Sequence, residues 1–130
     1  MMTEHEGLKS SAEDYLVAIL VEESRHGQVR SIDVAQHLNV TKPSVSVAIH
    51  TLEKKGYLYF DDDKFVHLTE EGRSVAEKIY ERHRFFKSVL LAIGVEDTTA
   101  EDEACQMEHA ISDNTFSLMK RYCENNACAV

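Results

Sequence analysis

Apolar residues recur along the chain at two spacings, and the change of spacing marks its elements. Tyr15, Leu16, Ile19 and Leu20 stand three and four residues apart, on one face of a first helix running from Ser11 to about Glu23. Ser10 or Ser11 can cap its start, and Arg25-His26-Gly27 ends it. A short second helix over 32–38 is predicted, capped by Ser31, with Val34, Ala35 and Leu38 inward. Asn39-Val40-Thr41 forms a tight turn, and Thr41 caps a third helix. Pro43 falls in its first turn, where a missing N–H costs nothing. Val45, Ala48, Ile49 and Leu52 make its inner stripe, and Gly56 suits a left-handed position after its end.

The spacing then becomes that of strands. Residues 57–60 and 64–68 are predicted as a hairpin joined at Asp61-Asp62-Asp63. Thr69-Glu70-Glu71 opens a long fourth helix that runs to about Ile93 and stops at Gly94. A fifth helix starts at Thr98 or Thr99 and carries Glu101 to Ile111. Asp113 caps a sixth, with Phe116, Leu118, Met119 and Tyr122. A hairpin directly after a helix-turn-helix is the winged helix arrangement. The expected fold is therefore mostly α: a winged helix-turn-helix over 1–72, followed by an all-helical half over 73–130.

Composition narrows the function classes. The longest apolar run is about six residues, counted from Leu16 to Val21, or seven with Tyr15, against about 20 for a membrane span. The first residues have no apolar signal region, so a soluble, cytoplasmic protein without membrane association is expected. Three cysteines are an odd count for a disulfide framework, which leaves metal binding or burial. The net charge of −9 argues against nucleic acid, but its distribution does not. From Arg25 to Phe60 five Lys and Arg face two Asp and Glu, so this stretch is +3 in an otherwise acidic chain.

That basic stretch contains the predicted reading helix. With its inner stripe turned to the core, Lys42, Ser44, Ser46, Val47, His50 and Lys54 lie on the other faces. Thr41, Ser44 and Ser46 can bond phosphates or base edges, Lys42 and Lys54 can neutralise phosphates, and Val47 can touch a thymine methyl. Arg30 and Pro43 complete the candidate DNA-binding set. Asp61–Asp63 would repel phosphates, leaving only Lys64 to help at the wing. With so few cations, a dimer gripping two half-sites is expected to be the binding form.

Cys105, Glu108 and His109 stand at i, i+3 and i+4 of the fifth helix, so a thiol, a carboxylate and an imidazole share one face. A fourth ligand must come from elsewhere, and Asp14 is a candidate. Alternatively, the three are a buried thiol beside two surface polar groups. Met107 reads as core or dimer contact.

The order of elements, Asp14-Tyr15-Leu16, Arg82-His83-Arg84 and Cys105-x-x-Glu108-His109 together resemble the diphtheria toxin repressor family of iron- and manganese-dependent transcription repressors. The resemblance covers about Ser11 to Tyr122, and the length suggests the family's short form, lacking the SH3-like domain. It implies a repressor that binds a double-stranded DNA operator as a homodimer and controls metal-uptake genes. It also implies Asp14, Cys105, Glu108 and His109 as ligands, with His83 in a second site. There the chain departs from the pattern. Lys87 replaces a glutamate and Glu101 a histidine of iron-sensing members, and Val17 replaces a glutamate of manganese-sensing ones. An ammonium would repel a second cation or replace it, leaving His83 and Glu101 a weak site or a simple pair.

Thiolate softness favours Fe(II), and two carboxylates admit Mn(II); the balance tips slightly to Fe(II). No small organic ligand is expected. Two rivals stand beside this reading. A winged-helix regulator answering a non-metal signal would ignore a chelator. A cysteine enzyme using Cys105 and His109 would need oxyanion donors that the sequence does not offer. Cys123 and Cys128 read as a partly buried thiol and a tail residue.

Overall fold

A computed structural model of the chain describes residues 10–126; Cys128 and the rest of the tail lie outside them. The element order is α1 (Ser10–His26), α2 (Ser31–Leu38), α3 (Lys42–Lys54), β1 (Leu58–Phe60), β2 (Val66–Leu68), α4 (Glu70–Ala92), α5 (Asp97–Met107) and α6 (Asp113–Asn125). This is the mostly helical order expected, with the wing as a two-stranded sheet. The chain separates into two compact units, divided within α4 between Glu77 and Lys78. No described helix is long and apolar enough to cross a membrane.

The N-terminal unit is built on hydrocarbon. Leu16, Ile19, Val34 and Ile49 are fully buried and Val45 nearly so, and Leu58 and Val66 close the same core from the wing. The α3 stripe is inward as predicted, although Ala48 is only partly buried. β1 and β2 pair antiparallel with Leu58 opposite Leu68 and Phe60 opposite Val66. The Val66 N–H also donates to the Val29 carbonyl at 2.7 Å, so the loop before α2 ties the wing to the helices.

Local chemistry sets the ends of these elements. Thr41 caps α3 by accepting the Ser44 N–H at 3.3 Å. At α2 the cap differs from expectation: Ser31 is the first helical residue, and the Asp33 carboxylate reaches back to the Arg30 N–H at 2.8 Å. Thr69 caps α4, accepting from the Gly72 N–H at 3.1 Å and donating to the Gly56 carbonyl at 2.7 Å. This presses Gly72 on the residue that precedes β1: a Cβ there would stand 1.8 Å from the Tyr57 carbonyl oxygen.

The C-terminal unit has a smaller apolar core. Phe85, Phe86 and Phe116 pack together with Ala104 and Cys123, Phe85 meeting both other rings edge to face at 5.4 and 5.3 Å. The fifth helix ends at Met107 rather than Ile111, and α6 is capped by Ser112, not Asp113, through a 3.1 Å bond from the Thr115 N–H. The cause of the early end is Arg82, whose guanidinium takes the carbonyls of Glu108 at 3.3 Å and Ile111 at 2.7 Å and draws them into a turn. Leu118, Met119 and Tyr122 point out of the unit, 52%, 38% and 65% exposed, so these apolar groups are not core of this chain.

Candidate metal centre

The centre in the C-terminal unit starts from α4. Ile79, Arg82, His83 and Phe86 share the buried stripe of that helix, so a guanidinium and an imidazole are forced inside among hydrocarbon. Opposite stand Cys105 on α5 and Glu108, which continues the helical backbone as its C-cap. The ligand atoms of His83, Cys105 and Glu108 all lie within 4.8 Å of one another. Glu108 is 2% exposed and His83 9%, while Cys105 is open to solvent.

His83 has two different neighbours. Its Nε2 is 2.9 Å from Glu101 Oε2, and its Nδ1 is 3.5 Å from Glu108 Oε2. That Nδ1 is buried and makes no hydrogen bond. The Cys105 side chain and the Glu108 carboxylate outweigh burial and push the His83 pKa up to about 11. The protonated imidazole is thus favoured between the Glu101 and Glu108 carboxylates. His109 lies in the turn after α5, with Nε2 3.7 Å from Glu108 Oε1, so the helical face predicted for three ligands holds only for Cys105 and Glu108. Asp14 is half-buried on α1 in the N-terminal unit.

Sequence reasoning named Arg82 only as part of a motif. In the structure it is 3% exposed, donates to Glu108 and Ile111, pairs with the Asp113 carboxylate, and lies over the Phe116 ring at 5.4 Å. It therefore fixes the turn that presents Glu108 and His109. An arginine on an otherwise apolar helix stripe was the signal available in the sequence. Thiol, imidazole and buried carboxylate at these distances, with a buried ring nitrogen lacking a hydrogen bond, fit a first-row divalent ion.

The DNA-reading residues are placed as follows. Lys42, Pro43, Ser44, Ser46, Val47, His50 and Lys54 are all exposed on α3, Val47 at 69%. His50 donates Nδ1–H to the Ser46 carbonyl at 2.7 Å, which leaves Nε2 outward. The Thr41 hydroxyl is engaged within its own helix, accepting from the Ser44 N–H and donating to Ser44 Oγ at 2.9 Å. Arg30 turns to the wing, stacking over Phe65 at 4.1 Å and donating to the Asp63 carbonyl at 3.2 Å. At the wing tip, Asp61 accepts the N–H groups of Asp63 and Phe65 and pairs with His67 at 2.7 Å, so this acid shapes the turn.

Residues 7–66 match the iron dependent repressor N-terminal DNA binding domain, and residues 69–128 match the metal binding and dimerisation domain of the same family. The chain belongs to the iron-dependent repressor family. It is 31% identical to an uncharacterised HTH-type transcriptional regulator of Methanocaldococcus jannaschii, over 90% of this chain and 95% of that one. It is 30% identical to the transcriptional regulator MntR of Escherichia coli O6:H1, over 88% of this chain and 74% of the regulator. The structure of the manganese regulator SloR has the same fold, with a TM-score of 0.78 at 24% identity, over 87% of this chain and 53% of that one. The chain thus spans about half the length of that solved regulator. As an iron-dependent repressor it is a metal-dependent transcriptional regulator and not an enzyme.

Proposed function

We propose that this repressor binds operator DNA as a homodimer when loaded with Fe(II) or Mn(II), and so controls metal-uptake genes. The observation that carries the proposal is the buried Glu108 carboxylate gathered with His83 and Cys105 in the unit that follows a winged helix-turn-helix. The family resemblance supports Asp14, Cys105, Glu108 and His109 as the ligands of the ion. Cys105 makes the set softer than carboxylates alone and inclines it to Fe(II), while Asp14 and Glu108 keep Mn(II) within reach.

When bound, the ion would supply positive charge to the Asp14 and Glu108 carboxylates. The rest of the mechanism belongs to the chain. Asp14 precedes the helix-turn-helix in the sequence and the other ligands follow α4, so ligation and the pose of the reading helices share one equilibrium. A ligand shifts such an equilibrium only by its differential affinity for the two states. Lys42 and Lys54 meet phosphates, and Ser46, Val47 and the outward Nε2 of His50 face base edges. Two copies set about one DNA turn apart double these few contacts. Leu118, Met119 and Tyr122 supply exposed apolar surface for the contact between copies.

The test is fluorescence anisotropy of a family-type operator and a scrambled duplex, with anaerobic Fe(II), Mn(II) or chelator, for wild type and His109→Ala. Specific binding that requires metal and is lost in the variant is expected. Specific binding that is equal in chelator and unchanged in His109→Ala would leave a winged-helix regulator with another signal.

A further inference from the structure

Glu101 has both carboxylate oxygens engaged with cationic groups of its own chain. Oε2 is 2.9 Å from His83 Nε2, and Oε1 is 2.9 Å from Lys87 Nζ. Asp97, one turn earlier on α5, stands 3.8 Å from the same ammonium. His83 and Lys87 are one turn apart on α4, so α4 presents an imidazole and an ammonium while α5 presents two carboxylates against them. His83 thereby has two sides. Nδ1 faces Glu108 with Cys105 near by, and Nε2 faces Glu101 and, through it, Lys87.

His83 Nε2, Glu101 and Asp97 are the groups from which a second metal site would be built. We infer that Lys87 is a resident cation that takes the place of a second divalent ion and limits the centre to one ion per chain. The inference rests on the proposal that one ion binds beside Cys105 and Glu108. An ion on the outer side of His83 would have to expel the ammonium from Glu101, or lie within a few ångströms of it with both Glu101 oxygens already engaged. The pairing is electrostatically firm on both sides. Glu101 holds the Lys87 pKa above its ordinary value. Burial opposes ionisation of Glu101, but Lys87 and His83 outweigh it and keep that carboxyl below its ordinary value. The same chain of contacts has a second effect. With Nε2 held by Glu101, the imidazole keeps Nδ1 turned toward Cys105 and Glu108, as a carboxylate behind a histidine ligand does.

The experiment is equilibrium dialysis of the full chain against Mn(II) at one fixed, saturating free concentration, with elemental analysis and far-ultraviolet circular dichroism to verify folding. Wild type is expected to hold one ion per chain, Lys87→Glu two, and Lys87→Arg, which keeps the cation, one. Glu101→Gln in the Lys87→Glu background is expected to return the count to one. Should Lys87→Glu not fold, Lys87→Gln carries the same test, because it removes the cation without adding an acid. Two ions in wild type, or one ion in a folded Lys87→Glu or Lys87→Gln chain, overturns the inference alone. No ion in wild type overturns the proposed metal site beneath it.

Discussion

The two units of this chain are stabilised by different physics. In the N-terminal unit the centre is aliphatic: Leu16, Ile19, Val34, Val45 and Ile49 are at most 1% exposed, and of its two buried carboxylates, Glu13 and Glu22, the latter pairs with His37 at 2.7 Å beside that core. In the C-terminal unit a small aromatic cluster is accompanied by buried Arg82, His83 and Glu108. A hydrocarbon core is indifferent to the contents of the solution. A core containing a guanidinium, an imidazole and a carboxylate is sensitive to any added charge, because buried charges must be paired to be tolerated. The C-terminal unit thus places its buried charges beside a small aromatic core, and the N-terminal unit closes around a larger aliphatic one.

The largest effect should come from the hydrocarbon side. Ile49→Ala empties a fully buried position on α3 and should cost roughly 3–4 kcal/mol in urea unfolding. Ion affinity of the molecules that remain folded should be unchanged, and a large loss of affinity would mean that the two kinds of core are not separable. Arg82→Met is the matching change in the charged unit. It leaves the Glu108 and Ile111 carbonyls and Asp113 without their common partner, at a cost of about 3 kcal/mol, discounted because Asp113 is 39% exposed. Here ion affinity should also fall, about 10- to 100-fold, because the turn carrying Glu108 and His109 is no longer fixed. Calorimetric titration would separate the two losses.

Chelation probes the same contrast without mutation. With ion at about 100 times its dissociation constant, removing it should cost about 2.7 kcal/mol of stability. Hydrogen exchange should place the lost protection mainly in α5 and the following turn, and less in α3. Equal loss in both would contradict the division of labour. The smallest effect is expected at the wing. His67, with the N–H groups of Phe65 and Asp63, outweighs desolvation and holds the Asp61 carboxyl below its ordinary value of 3.8. A depressed acid contributes stability above its unfolded value and loses it as pH falls through the folded one. Asp61→Asn should therefore lower the urea midpoint slightly at neutral pH, and the difference should shrink as the pH falls below the ordinary value of 3.8 and through the folded one. A difference that grows in acid would mean that Asp61 acts by another route.

The contrast also explains what the sequence made legible. The N-terminal elements follow from periodicity because aliphatic burial is additive and local: Val45, Ile49 and Leu52 announce a helix face by spacing alone. The Thr41 cap, Pro43 in the first turn of α3 and the left-handed Gly56 were equally readable, each answering to one local rule. The C-terminal unit was harder. Helical spacing placed Cys105 and Glu108 together but carried the helix through His109 and on to Ile111. It could not anticipate a guanidinium from α4 capturing the Glu108 and Ile111 carbonyls, because that competition involves residues 26 and 29 positions away. The triple aspartate at the wing, read as an obstacle to DNA, includes a residue that organises the turn, since the distinction depends on which backbone N–H groups it meets.

The most direct test of the proposed coupling is reciprocal. If the ion tightens operator binding, the operator must tighten ion binding by the same factor. The measurement is Mn(II) affinity of the wild-type chain alone and saturated with operator, at constant ionic strength. A coupled sensor gives a higher affinity in the complex, by the factor found for operator binding with and without Mn(II). An Mn(II) affinity unchanged by operator would show that the charged unit binds its ion without informing the DNA-reading unit.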